Sequence, residues 1–520
     1  MDTTTIPASS LRSWRDPITL LFLVMAFDIL FWERALGLDL LVFIALVLVV
    51  LVAKTGWNGL SRTARMTMGG ALLAGIMVVV HHSSLAMAVA ILALVVSSAA
   101  AQEARLRSLF YSLLHASTNI LMTPFVALGR LDRLPNVNGV PRTGWRWVKL
   151  VALPLLLLLL FTQLYRAGNP KFDHLTAGFM DGLWEFLSDA LSNIFTAHTF
   201  FLLFGLLACA GSIFRFAPRM VIEMEDQWQD VLVRTRRRLP QWASPRSMDG
   251  LERERRMGVI LLVLVNLLLV VVNAIDVQWL WFGFEVPVDF SLKQFVHEGT
   301  WMLIISILLS MVILMYFFRN NMNFYARSRS LRTLALLWVG QNLVLGISVF
   351  LRNYQYIAFH GLAYKRIGVI VFLGLVLVGL VTLYFKVRDK KSLFYLARVN
   401  GWAMFTVLIA LTTVDWDSAI VRFNLGHWNR GEIDVDNYLA MSDKVLPLLY
   451  ADLDKVEGQM ARHRSNTVRW VEHLDPQTFR MELDVKRDLF EQRVAQQHWQ
   501  EWNLADQRTA NALHPMSDPK

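Results

Sequence analysis

The chain has 520 residues, 55% hydrophobic and 18% charged, with a mean hydropathy of +0.42 and a formal charge of +10. That mixture cannot fold into ordinary water-soluble cores without leaving large apolar patches, so lipid must cover the excess. From Val414 onward 13 Lys/Arg face 18 Asp/Glu, net −5, which leaves +15 on the part before it; basic charge held in short loops between apolar runs marks membrane topology and argues against nucleic acid as a partner.

Eleven apolar runs approach or reach the length a helix needs to cross about 30 Å of hydrocarbon. They cover residues 17–32, 35–53, 66–80, 84–101, 148–165, 194–214, 257–275, 299–318, 331–351, 367–385 and 397–414. The expected fold is all-α, a polytopic transmembrane bundle of about 11 spans in two parts, 1–256 and 257–414, with a small acidic helical domain over 415–520. The first run is followed almost at once by the second and reads as an anchor, not a cleaved signal peptide. Its Asp28, near the outer end, is expected to reach water or to pair with Arg34. His81 and His82 fall in a tight turn and read as wet loop residues, because a His pair alone makes a weak metal site.

Between Glu103 and Leu121 apolar residues recur at helical spacing behind Arg105 and Arg107, which predicts an amphipathic helix lying on the membrane and ending before Pro124. Cys209, the only cysteine, lies in an apolar run, so neither a disulfide nor a Cys-based zinc site exists within one chain. The loop from Arg215 to Arg256 carries ten Arg and seven acidic residues, including Arg236, Arg237 and Arg238. It reads as a topology signal on a solvated helix, with attraction to anionic lipid at the inner face as the alternative.

Deeper in the membrane, Asn266 falls at the centre of run 257–275, and Gln341 and Asn342 at the centre of run 331–351. Such amides either line a buried polar path or hydrogen-bond helix to helix, at about 0.6 kcal/mol each. At the outer ends stand Asp276, His297, Glu298, Arg352, Lys365, Arg366, Asp415 and Asp417, which helix packing could gather into a mixed-charge pocket beneath the C-terminal domain. A carboxylate near His can share a proton in the physiological range. Equally, Glu298 satisfies a helix dipole, and pairing among the rest would dock the tail. In that tail Ser442 precedes one helical face (Leu446, Leu449, Leu453, Val456), with Pro447 tolerable in the first turn. Asp475-Pro476 then caps a second (Phe479, Leu483, Phe490, Val494).

With the N-terminus inside, successive inside segments hold two, three, seven, ten, four and five Lys/Arg, while outside segments hold one, none, two, one and three. The alternation holds at every loop and puts the C-terminal domain outside, the periplasm in a diderm bacterium. Phosphate-binding, dinucleotide, G-x-S-x-G and H-E-x-x-H signatures are missing, and His297-Glu298-Gly299 lacks the second His of a zincin. No cofactor or metal is expected.

Several stretches look familiar: VNLLLVVVNAID from Val265, VHEGTWMLIISILL from Val296, YFFRNNMNFY from Tyr316, LWVGQNLVLGISVFLRNYQYI from Leu337, GLAYKRIGVIVFL from Gly361, NGWAMFTVLI from Asn400 and VDWDSAIVRFNL from Val414. In this order, over residues 255–425, the chain resembles an uncharacterised bacterial family of integral membrane proteins, the domain of unknown function numbered forty-one seventy-three. A weaker echo lies at WQEWNLADQRTA. The resemblance implies a multi-pass protein of the bacterial inner membrane and no established activity or cofactor. Two functions stay open. One is a non-enzymatic transporter-like, sensory or scaffolding component that binds a small ligand or protein partner at the periplasmic face. The other is an enzyme acting on a lipid-linked substrate, with His297 or Glu298 as acid or base and Arg352, Lys365 or Arg366 holding phosphate.

Overall fold

In a computed structural model of the protein the described residues are 15–131, 170–192, 196–216, 219–234, 244–282, 300–427, 435–465 and 474–514, with isolated positions between 154 and 166. They are helical throughout, apart from turns and one isolated bridge between Val231 and Lys391. The helices are α1 (Arg15–Phe31), α2 (Leu38–Thr55), α3 (Arg62–His81), α4 (Ser84–Gln102), α5 (Leu109–Leu131), α6 (Pro170–Ser192), α7 (Ala197–Ile213), α8 (Met220–Asp226), α9 (Ser244–Asp276), α10 (Thr300–Phe317), α11 (Arg329–His360), α12 (Tyr364–Arg388) and α13 (Leu393–Thr412). The tail adds α14 (Trp416–Gly426), α15 (Leu446–Ala451), α16 (Leu453–Ser465), α17 (Pro476–Ala495) and α18 (Leu504–Leu513).

Eight of these, α2, α3, α4, α9 with its π-helical continuation to Trp281, α10, α11, α12 and α13, are long and apolar enough to cross a membrane; α1 and α7 are shorter apolar helices. The outward face of α9 shows why lipid is required: Leu264, Leu267, Leu268, Val270 and Val271 are each 53 to 65% exposed, a continuous apolar surface that water would not tolerate. The chain is a multi-pass membrane protein. The expected span at 148–165 lies almost wholly outside the described residues, as do Arg236, Arg237 and Arg238.

Two cores divide the membrane region. The first joins α1 to α4, α7 and one side of α13 through Phe405 and Ile409. Its tightest seam is α3 on α4, where Ala64, Ala71 and Ala74 meet Ala86, Ala90 and Ala93, all fully buried; small side chains let the backbones approach, as lipid-embedded helices require. The turn between these helices needs only two residues. His82 takes a left-handed conformation (φ 43°) that closes α3, and the Ser83 hydroxyl accepts from the Ala86 amide to open α4. The second core joins α9, α10, α11 and α12.

Helix ends sort onto two faces. On one, Lys54 at the end of α2 donates to the Ile213 carbonyl, Gln102 at the end of α4 to Gly211 and Ser212, and Arg398 near the start of α13 to Asp230. There Glu225, 1% exposed, accepts from the amides of Arg107 and Ser108 just before α5, so this part of the basic loop is clamped instead of solvated. Helix α5 crosses the ends of α4 and α7: Asn119 reaches Gln102, Gly211 and Phe214. It does not end before Pro124 but runs through it to Leu131. Proline lacks one intrahelical N–H donor, and on its N-terminal side Asn119 holds the helix to α4 and α7.

The opposite face carries the tail. Its core is built from α14 to α18 around Tyr438, Leu446, Leu449, Val456, Phe479, Leu483 and Phe490, and it takes in Ile367 of α12. Asp475 caps α17 by accepting from the Thr478 amide at 2.8 Å, and Phe479, Leu483 and Phe490 face inward as expected. After Ser442, however, the single helical face is broken. A 3-10 turn (Asp443–Val445) leads into α15 with Pro447 in its first turn, and Asp452 separates α15 from α16.

Candidate functional site: a pocket beneath the tail

The tail is fastened to the membrane helices at two places. Around Gly37 the loop between α1 and α2 meets the turn Trp499–Glu501: the Leu38 amide donates to the Trp502 carbonyl at 3.0 Å and the Ala35 amide to Glu501 Oε1 at 3.2 Å. His82 adds to this contact, with Nε2 2.9 Å from the Leu36 carbonyl and Nδ1 3.9 Å from Asp506. A carbonyl can only accept, so Nε2 carries the hydrogen.

The second fastening is polar and more deeply buried. Asp415 caps α14, accepting from the Ser418 hydroxyl at 2.7 Å, and Asp417 follows in the first turn. Lys444 reaches Asp415 at 2.9 Å, Asp417 at 3.5 Å and the His81 carbonyl at 2.8 Å, with its side chain 8% exposed. The ammonium thus donates two hydrogen bonds and keeps an ion-pair contact with Asp417. Asp417 also accepts from the Tyr364 hydroxyl and from Ser442 Oγ, the latter at 2.5 Å. Burial alone would raise the Asp415 carboxyl above its ordinary 3.8, but hydrogen bonds from Ser418 and Lys444 hold it below that value.

Between the fastenings lies a cavity of about 640 Å³. It opens where the two halves of the membrane region and the tail meet. Its walls are Leu85 of α4, Ile367, Gly368 and Val371 of α12, Leu411 of α13 and Trp416 of α14; its rim is His82, Ser83, Ser84, Tyr364, Asp417, Asn437, Ser442 and Lys444, with Ala440 and Met441. Its lining combines apolar side chains, most of them from membrane helices, with polar groups from the helix ends and the tail. Among the described residues no group of three or more His, Cys, Asp or Glu is placed to hold a metal ion.

The structure divides the charged set expected here. Asp417 is the hub of the site. Asp276 and Arg352 instead form an ion pair with each other at 2.5 Å, 3% and 8% exposed, joining α9 to α11 away from the cavity. Arg366 donates to the carbonyls of His360 and Gly361 and lies 4.6 Å over the Tyr356 ring. Lys365 is exposed and lines no part of the cavity. His297 and Glu298 fall outside the described residues.

The midplane amides partly meet. Gln341 Nε2 donates to Asn266 Oδ1 at 2.8 Å, and Asn266 in turn to the Leu334 carbonyl at 3.2 Å, but Asn342 turns back to its own helix at Trp338. These bonds, with Asn273 to the Gln341 carbonyl at 3.1 Å, tie α9 to α11. Asp28 pairs with His198 at 2.7 Å and not with Arg34, because α7 begins beside the outer end of α1.

Lys444, Tyr364 and Ser442 are the residues that sequence reasoning missed. A lone Lys beside Ser442 in an acidic tail is a weak signal, and Tyr364 reads as an interface aromatic. His81 and His82 keep part of their surface exposed, as a wet turn should, while the first bonds the Thr413 carbonyl at 3.1 Å and the second lines the cavity.

No curated protein and no solved structure matches the chain. A family model does, over residues 67–451, which is most of the chain and takes in both halves of the membrane region, the two aspartates and Lys444. An uncharacterised domain-of-unknown-function family is what the motifs implied, although its number differs from the one the motifs suggested and its match begins far upstream of residue 255. The chain belongs to the family described as a domain of unknown function, DUF4153.

Proposed function

We propose that this protein is a non-enzymatic sensory or scaffolding component of the bacterial inner membrane that binds a small ligand in the cavity beneath its tail. The observation that carries this reading is the place of the cavity. Its lining comes from α4, α12, α13, α14 and the 437–444 segment, so an occupant touches both halves of the membrane region and the tail at once. Such an occupant shifts the balance between conformations that differ in how those parts meet. The positive-inside count supports placing this face in the periplasm, since every loop on it belongs to the segments poor in Lys and Arg.

The other readings draw less support. A permeation path through the midplane amides is disfavoured because Asn266 and Gln341 bond each other and the backbone. An enzyme holding phosphate through Arg352 and Arg366 is disfavoured because both guanidinium groups are engaged elsewhere.

Spin labels at Ser84 of α4 and Asn437 of the tail, both in the cavity lining, test the reading in lipid nanodiscs. Adding a bacterial envelope lipid and metabolite extract should narrow or shift the distance distribution. A distribution that no extract fraction alters would end the proposal.

A further inference from the structure

We infer that the occupant of this cavity is a single-chain amphiphile whose head group is uncharged or cationic, and not a phosphate or carboxylate. This rests on the cavity being a ligand site, as proposed above. Three observations lead to it.

The first is the direction of polarity. Leu85, Ile367, Val371 and Leu411 belong to the outermost turns of helices apolar enough to span a membrane, whereas Asn437, Ser442 and Lys444 belong to the tail. The apolar part therefore faces bilayer depth and the polar part faces away from it, which suits a molecule entering chain first from the outer leaflet.

The second is charge. Among the described residues Lys444 is the one Lys or Arg in the lining, and its ammonium donates to Asp415 and the His81 carbonyl and pairs with Asp417. In the lining Asp417 balances Lys444, with Asp415 drawing on the same ammonium from behind and Lys486 donating to the Leu439 and Met441 carbonyls, so no positive charge is left over there for an anionic head. This is the reverse of a phosphate site, where Arg forks or unspent backbone amides face the anion.

The third is room. Gly368 lines the cavity, and a Cβ built on it meets nothing within 4 Å. A larger side chain there enters open space and competes with an occupant without disturbing the helix packing. Gly374, on the same helix and also with nothing within 4 Å, does not line the cavity and serves as the control.

The experiment uses the full chain in phosphatidylcholine nanodiscs and three photoactivatable oleoyl probes that differ only in the head: glycerol, primary amine or phosphate. Cross-links are mapped by mass spectrometry to residues 364–371 and 437–444, which contain the lining of α12 and most of that of the tail. The glycerol or amine probe should label these peptides at least about tenfold more than the phosphate probe, the ratio that about 1.4 kcal/mol confers. Gly368→Leu should abolish that labelling, while Gly374→Leu should leave it intact. Equal elution and thermal midpoints of the two variants establish that both are folded. Preferential labelling by the phosphate probe, sensitive to Gly368→Leu, overturns the head-group assignment and leaves the cavity as a ligand site. Labelling that ignores both head group and Gly368→Leu is contact with bulk lipid, and both proposals fail together.

Discussion

Arg352 and Asp276 show how a charge can be kept in a membrane-embedded fold. Each is nearly buried and each is the other's partner at 2.5 Å. Removing one leaves the other uncompensated, so Arg352→Ala should cost about 3–5 kcal/mol. Asp276→Leu together with Arg352→Leu should be close to neutral, because the desolvation cost goes with the pair. Unfolding in mixed micelles measures both, and a double variant as unstable as the single one would refute the pairing argument. Asp415 makes a different prediction. Its carboxyl is held below the ordinary 3.8 in the folded protein, so its contribution is fully present above that value and is lost as pH falls through the lower folded value. Protease resistance of the tail should therefore be flat from about pH 5 to 8 and should fall only below about pH 4. In Asp415→Asn that acid-dependent component should disappear. Both aspartates were visible in the sequence as charges at span ends. Which group each would pair with was not, since Arg352 lies 76 and Lys444 29 positions away in the chain.

At the level of elements, the seams that hold this molecule are of two kinds. Close approach is one: a Cβ on Gly37 would sit 2.3 Å from the Glu501 carbonyl oxygen, nearer than any packed carbon comes. Gly37→Leu should thus push the Trp499–Glu501 turn off the loop between α1 and α2 and expose the tail to protease, with the membrane helices left intact. A tail as resistant as in the native protein would show that this contact is dispensable. Amide bonding is the other: Asn266→Leu or Gln341→Leu should each lose about 0.6 kcal/mol, at most about 1.7, with no loss of cellular function if these residues only tie α9 to α11. Helix type and approximate bounds were legible from apolar runs and from caps such as Asp475-Pro476. The breaks around Ser442 and Asp452 were not, because a helical face on paper says nothing about Ser442 turning its hydroxyl to Asp417.

For the whole molecule, the faces formed by helix ends agree with the alternation of basic and non-basic loops. The chain leaves α4 on the face of Lys54 and Gln102 and enters α7 beside Asp28, on the face of the tail. Single cysteines at Lys365 and Glu491, in a Cys209→Ser background, should react with an impermeant maleimide from the periplasmic side, and one at Arg388 should not. If Lys365 and Glu491 report opposite sides, the tail does not dock as described; if both are shielded and Arg388 reacts, the faces are reversed.

The sequence by itself determined that this chain is helical, that many of its helices are long and apolar enough to cross a bilayer and that an acidic helical tail follows the last of them. Those properties depend on local composition and on length against a fixed bilayer thickness, so they can be summed along the chain. It also carried the family resemblance. The identity of the pocket was decided only by tertiary structure. Of the charges at the outer helix ends, Asp417 reached the cavity, while Asp276, Arg352 and Arg366 found partners elsewhere. A buried charge takes whichever counter-group packing brings within hydrogen-bond distance, and that choice is set by which helices are neighbours in space.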